Sequence, residues 1–132
     1  MDMIVTAEQL GEVPLFAGLD EADLEAIAER SVKMFVRQGV NLIKKGESGF
    51  DFFVILGGNA DVIVDGAKVA SLGPGDVFGE MALLEHRRRN ADVVASTAMI
   101  LATMMVWDFQ QMRHDFPVIT ERLGSLAETR KS

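Results

Sequence analysis

Between Asp20 and Arg30 the apolar residues Ala22, Leu24, Ile27 and Ala28 return at helical spacing, while Glu21, Glu25 and Glu29 take the opposite positions. Asp20 is suited to accept from the amides of the first turn, and Asp23 stands where it can reach back. The pattern predicts a short amphipathic helix over about 20–30. Ahead of it, Leu10 to Phe16 holds Pro14 and is followed by Gly18, which reads as a lead into a turn. From about residue 32 the period changes. Short β-prone segments follow one another: Val32–Val36, Val40–Lys44, Phe52–Ile55, Ala60–Val64, Lys68–Leu72, Ala91–Ala95 and Ile100–Val106. Glycine-bearing turns separate most of them, and Asp65-Gly66 between two alternating strands is a hairpin signal. Strands this short and turns this frequent indicate an antiparallel sandwich or barrel.

One segment breaks the strand pattern. Gly79 to Glu85 is made of good helix formers and is only about two turns long, so it reads as a short helix inserted between strands. After residue 107, Asp108 is placed to cap a helix running through Arg113. Pro117 then takes a favoured first position in a last helix, which runs through Leu123 and Leu126 towards Arg130. Its stripe of Ile119, Leu123 and Leu126 suits packing against the barrel, with a dimer contact as the other use. No repeat of 20–50 residues is present.

Composition narrows the function classes. The chain has 132 residues, 48% hydrophobic and 25% charged, which is one domain's worth of core. A net charge of -7 repels phosphate backbones and argues against nucleic acid as a partner. With no cysteine there is no disulfide, thiolate catalysis or zinc–thiolate site, which is compatible with a reducing cytosol. The first residues carry no signal-peptide pattern, and Ala98 to Trp107 is too short to span a bilayer. A soluble, cytoplasmic location is expected, with no membrane partner.

The chemistry concentrates between Gly73 and Ala95. A tight glycine turn (Gly73-Pro74-Gly75) leads to Asp76-Val77-Phe78-Gly79-Glu80, and a basic loop, His86-Arg87-Arg88-Arg89-Asn90, returns to a strand. A helix start offers unpaired N–H groups and the positive end of a dipole to a phosphate. Gly79 lets a ligand approach the backbone, and an arginine ten residues on can close over the same phosphate with paired donors. Glu80 would accept from a sugar hydroxyl. Phosphate donors beside one carboxylate acceptor suit a cyclic ribose phosphate.

Phe78-Gly79-Glu80-Met81-Ala82-Leu83, followed by Arg89-Asn90-Ala91, resembles the phosphate-binding cassette of the cyclic-nucleotide-binding domain family, which includes the catabolite activator protein, protein kinase A regulatory subunits and nucleotide-gated channels. Lys45-Gly46-Glu47, Phe52 to Ile55 with Gly58, and Leu72 to Asp76 fall at the family's spacing, and the chain looks like a stand-alone bacterial member. The resemblance implies a mainly β fold with flanking helices: a double-stranded β-helix (jelly roll) with an N-terminal helix, an inserted cassette helix and C-terminal helices. It would be a single domain over 1–132, with the helix at about 20–30, the jelly roll at about 32–107 and the C-terminal helices at about 108–130. The implied ligand is cAMP or cGMP, and no further cofactor or metal is expected. Arg89 would pair with the cyclic phosphate and Glu80 would hold the ribose 2′-hydroxyl. Backbone N–H groups of Ala82, Asn90 and Ala91 would complete the cradle, with Gly79 and Met81 in the same cassette. Val62, Val69 and Leu72 match positions that line the pocket.

Two residues depart from the family pattern. Asn90 stands where Ala, Ser or Thr is common and leaves cAMP versus cGMP open. Asp92 stands where Thr is common; pointing inward it would oppose the phosphate, and pointing outward it would pair with Arg87 or Arg88. Counted from Pro117, the first base contact of the last helix would fall near Arg130, so the purine lid is expected to be short. His86, His114, Arg87 and Arg88 read as solvated surface residues, Met99, Met104 and Met105 as core filler, and Trp107 as an interface packing residue. The expected function is a non-catalytic cyclic-nucleotide sensor with a homodimer or effector protein as partner. The alternative is a degenerate domain that binds no nucleotide tightly and serves interaction or oligomerisation. Metal-dependent chemistry on the same barrel is disfavoured by having only two histidines, and a helix-turn-helix regulator by length and charge.

Overall fold

The computed structural model describes residues 4–47, 51–80 and 88–131. Among the described residues, eight strands form two four-stranded antiparallel sheets. β1 (Val32–Val36), β8 (Met99–Met105), β3 (Asp51–Gly57) and β6 (Val77–Phe78) make the first, in that spatial order. β2 (Asn41–Ile43), β7 (Asp92–Ala95), β4 (Ala60–Val64) and β5 (Ala67–Leu72) make the second. The β4–β5 hairpin closes through Asp65 and Gly66, with φ of 51° and 80°. Both central residues are left-handed, as a tight two-residue turn requires.

Side-chain alternation along β3 and β8 produces two cores. Phe53, Ile55, Met99 and Leu101 point between the sheets, where they meet Ile43, Ala60, Phe78, Val93 and Ala95. Phe52, Val54, Ala102 and Met104 point the other way, onto the helices. The unbroken apolar run Phe52–Ile55 is therefore a strand buried on both faces.

The helical layer is built from α1 (Ala7–Gly11), a 3-10 turn (Pro14–Phe16), α2 (Glu21–Glu29), α3 (Val106–Asp115) and α4 (Pro117–Lys131). The Asp20 carboxylate caps α2 through the Asp23 amide at 2.9 Å. Phe109 of α3 lies 4.8 Å from Phe52, ring centre to ring centre, and Ile119 and Leu123 of α4 are fully buried in the same cluster. Arg30 at the end of α2 reaches Asp108 and Asp115 of α3 at 3.8 and 3.4 Å. Arg122 of α4 donates from Nη1 to the carbonyls of Leu15 and Ala17 at 3.0 and 2.7 Å, which joins the last helix to the 3-10 turn.

Several local expectations need correction. α1 lies where only a lead-in to a turn was expected. Its signal is the capping box Thr6–Gln9, in which Thr6 Oγ1 accepts from the Gln9 amide at 3.2 Å and Gln9 Oε1 accepts from the Thr6 amide at 3.1 Å. β6 is only two residues long, too short to show a period. α3 begins at Val106, so Asp108 sits within its first turn instead of capping it. Trp107 is 62% exposed in that turn. Met99 and Met104 are buried, but Met105 is 43% exposed because it lies past the end of the inter-sheet core.

Candidate functional site

The site begins at the turn after β5. Asp76 accepts from the Gly73 amide through Oδ2 at 2.8 Å, and its own amide donates to the Gly73 carbonyl at 3.0 Å. The turn docks on β3 through two backbone bonds of 2.9 Å, Gly75 N to the Ile55 carbonyl and Ile55 N to the Asp76 carbonyl. β6 then runs beside β3, pairing Phe78 with Phe53 and Val77 with Val54. The two phenylalanine rings stack at 4.7 Å with only 8° between their planes. On this floor the chain reverses at Gly79, whose φ is 91°. A Cβ there would lie 2.8 Å from the Asp51 carbonyl oxygen, 3.1 Å from Arg89 Nη1 and 3.3 Å from Phe53. Glycine is needed twice over, for the dihedral and for the space.

Arg89 closes the arrangement. Its Nη1 donates to the Gly79 carbonyl at 2.7 Å and its Nη2 to the Asp51 carbonyl at 2.8 Å. Two of its five N–H groups are thereby directed into the backbone, which orients the planar fork. Burial pushes the guanidinium below its usual pKa, while the charges of Asp51 and Glu80 oppose that shift. An arginine remains a cation under any such shift at neutral pH. Glu80 is fully enclosed, with 0% exposure. The arrangement therefore holds one half-buried cation beside one buried carboxylate at a glycine turn.

The other predicted residues fall around this centre. Val62 and Leu72 are half-buried against the inter-sheet core, but Val69 is 59% exposed. The β4–β5 pairing passes from Val62↔Ala70 to Ile63↔Lys68, so Val69 is the extra residue of a bulge. Asn90 is exposed and Ala91 half-buried beside Arg89. Met81, Ala82, Leu83, His86 and Arg87 lie outside the described residues, and with them most of the expected inserted helix. His114 is on the surface, its ring 3.3 Å from Asp115. Arg88 is exposed, but it is not simply solvated, since Nη1 donates to the Gly46 carbonyl at 2.9 Å.

Asp92 points outward. Its neighbours Val93 and Ala95 are buried between the sheets, so alternation along β7 turns Asp92 to the opposite face. It accepts there from the Lys45 backbone amide at 2.8 Å, a partner that was not foreseen; of the two expected, Arg88 turns to the Gly46 carbonyl and Arg87 lies outside the described residues. The Asp51 carbonyl was also missed. Every residue has a carbonyl, so no side-chain pattern could have identified it.

Among the described residues no group of three or more His, Cys, Asp or Glu side chains could hold a metal ion, and no helix is long and apolar enough to cross a membrane. A family model described as "Cyclic nucleotide-binding domain" matches residues 33–115. A cAMP-dependent protein kinase regulatory subunit of Schizosaccharomyces pombe is 38% identical over 71% of this chain and 23% of its own length. A cyclic nucleotide-gated potassium channel of Rhizobium etli is 33% identical over 98% of this chain and 36% of its own. The solved structure of cAMP-bound PfPKA-R (141–441) superposes with a TM-score of 0.87 at 26% identity, covering 95% of this chain and 43% of that one. The chain thus spans about a quarter to a third of the length of these curated relatives.

Proposed function

Because the chain belongs to the cyclic nucleotide-binding domain family, we propose that it is a non-catalytic regulatory module that binds cAMP or cGMP at Arg89 and the Gly79–Glu80 turn. The observation that carries this reading is the Arg89 guanidinium, half-buried and already oriented by the carbonyls of Gly79 and Asp51. Among the described residues, Nε–H and one N–H on each terminal nitrogen take no partner and suit the paired oxygens of a phosphate. The strand orders β1-β8-β3-β6 and β2-β7-β4-β5 support a jelly roll, with the ligand held against the cassette. Val62, Ala70 and Leu72 line the inward face of β4 and β5 and supply apolar contact for a base.

Glu80, as the ribose acceptor, has no exposed surface, so a ligand meets it only after its neighbours shift. Binding on this reading includes a rearrangement of the cassette, and the ligand favours the rearranged state by its unequal affinity for the two. The outward position of Asp92 reduces, without removing, the charge repulsion that favoured a non-binding, degenerate domain.

Titration calorimetry with cAMP, cGMP and the phosphate-free nucleoside guanosine tests the proposal. The cyclic nucleotides bind, guanosine binds far more weakly, and Arg89→Ala loses affinity by about 10- to 150-fold, the equivalent of charged hydrogen bonds worth about 1.5–3 kcal/mol. Arg89→Lys, which keeps the charge without the fork, falls between. Equal heats for the wild type and a folded Arg89→Ala would remove the assignment.

A further inference from the structure

The backbone of Arg89 is registered on one short segment, residues 45–47. The Gly46 amide donates to the Arg89 carbonyl at 2.9 Å, and the Arg89 amide donates to the Glu47 carbonyl at 2.8 Å. Arg88 adds its 2.9 Å bond to the Gly46 carbonyl. Segment 45–47 is therefore the template on which the arginine-bearing loop is laid. Its leading residue is held from two sides, the Lys45 amide by Asp92 Oδ1 at 2.8 Å and the Lys45 Nζ by Asp65 Oδ1 at 2.7 Å. Asp65 sits at the tip of the β4–β5 hairpin, and Asp92 opens β7 three residues after Arg89. A side chain following the clamp in sequence thus fixes the start of the segment that fixes the clamp.

We propose that Asp92 is a positioning residue for the Arg89 anion clamp, acting through its acceptor oxygen on Lys45 and not through its charge. The proposal rests on the reading of Arg89 as the ligand's phosphate partner. Acceptor and charge pull in opposite directions here, which makes the two separable. As a negative charge near a bound phosphate, Asp92 weakens binding. As the acceptor that holds residues 45–47, it strengthens binding. Asp92→Asn keeps an oxygen for the Lys45 amide and removes the charge, whereas Asp92→Ala removes both.

Calorimetry with cAMP and cGMP on the full chain is expected to show Asp92→Ala binding about five- to tenfold more weakly than wild type, the size of one lost hydrogen bond. Asp92→Asn should bind within about twofold of wild type, or more tightly. Tighter or unchanged binding by Asp92→Ala overturns the proposal. Amide hydrogen exchange on the ligand-free protein gives a readout that needs no nucleotide. Asp92→Ala should speed exchange at Lys45, Gly46 and Arg89 while leaving the β3 amides of Val54 and Ile55 unchanged, and Asp92→Asn should restore the slow rates. Unchanged exchange at Gly46 and Arg89 in Asp92→Ala would likewise end the argument. Should the wild type bind neither nucleotide, the functional reading fails, and the exchange rates still decide whether Asp92 positions Arg89.

Discussion

Replacing Gly79 by alanine asks two things of the protein, and a second glycine separates them. The first is to hold a non-glycine residue at φ 91°. Such backbone strain costs about 1–3 kcal/mol. Gly39 has nearly the same dihedral, 92°, and a Cβ there would meet nothing within 4 Å. Gly39→Ala therefore measures the backbone cost alone. At Gly79 the new methyl would also stand 2.8 Å from the Asp51 carbonyl and 3.1 Å from Arg89 Nη1. The carbonyl belongs to Asp51, whose backbone is held in the β3–β8 ladder opposite Met105, so the flexible guanidinium side chain is the group displaced. Losing one of its charged hydrogen bonds costs about 1.5–3 kcal/mol. Gly79→Ala should thus be less stable than Gly39→Ala by about that amount, an excess of roughly 5–10 °C in melting temperature for a domain of this size. Urea unfolding of the two variants beside the wild type measures the difference directly. If the two alanine variants lose the same stability to within about 0.5 kcal/mol, the packing of Gly79 against Asp51 and Arg89 has no energetic weight, and the geometry proposed for the clamp is wrong.

Two further outcomes follow from contacts elsewhere. Arg122→Ala removes both hydrogen bonds between α4 and the 3-10 turn, and should lower the unfolding free energy by about 1.5–3 kcal/mol in urea titration; a change below about 0.5 kcal/mol would show that the apolar contacts of Ile119 and Leu123 hold α4 unaided. The ion pair of Lys45 and Asp65 should leave a pH signature. Its hydrogen bond and charge raise the Lys45 pKa and lower that of Asp65. The Asp65 contribution is present above its unfolded pKa, about 3.9, and is lost as pH falls through its lower folded value; the Lys45 contribution is present below about 10.4 and is lost as pH rises through its higher folded value. The stability difference between wild type and Asp65→Asn should be flat from about pH 5 to 9 and shrink at both ends, as read from urea midpoints across pH. A difference that peaks in the middle of that range would contradict the assignment.

Much of the architecture is written in local pattern. The 20–30 helix follows from Asp20 and the spacing of Leu24, Ile27 and Ala28; the hairpin follows from Asp65-Gly66, and the last helix from Pro117. In each case the determining interactions lie within four residues or within one alternating strand, so they leave a mark in sequence order. The meeting of Gly79 and Arg89 was legible for a related reason, because a glycine turn and an arginine ten residues on are what the proposed phosphate site would demand by chemistry.

What holds that arginine in place was decided only by the folded chain. Asp51 contributes a carbonyl from 38 residues upstream, and Asp92 contributes an oxygen to an amide 47 residues away. Backbone groups are the same at every position, and the direction of Asp92 depends on which face of β7 the inter-sheet core covers. Such contacts exist only once β3, β6 and β7 have been brought together. Local sequence specifies which elements form and which groups are chemically capable; long-range strand pairing determines which of those groups meet.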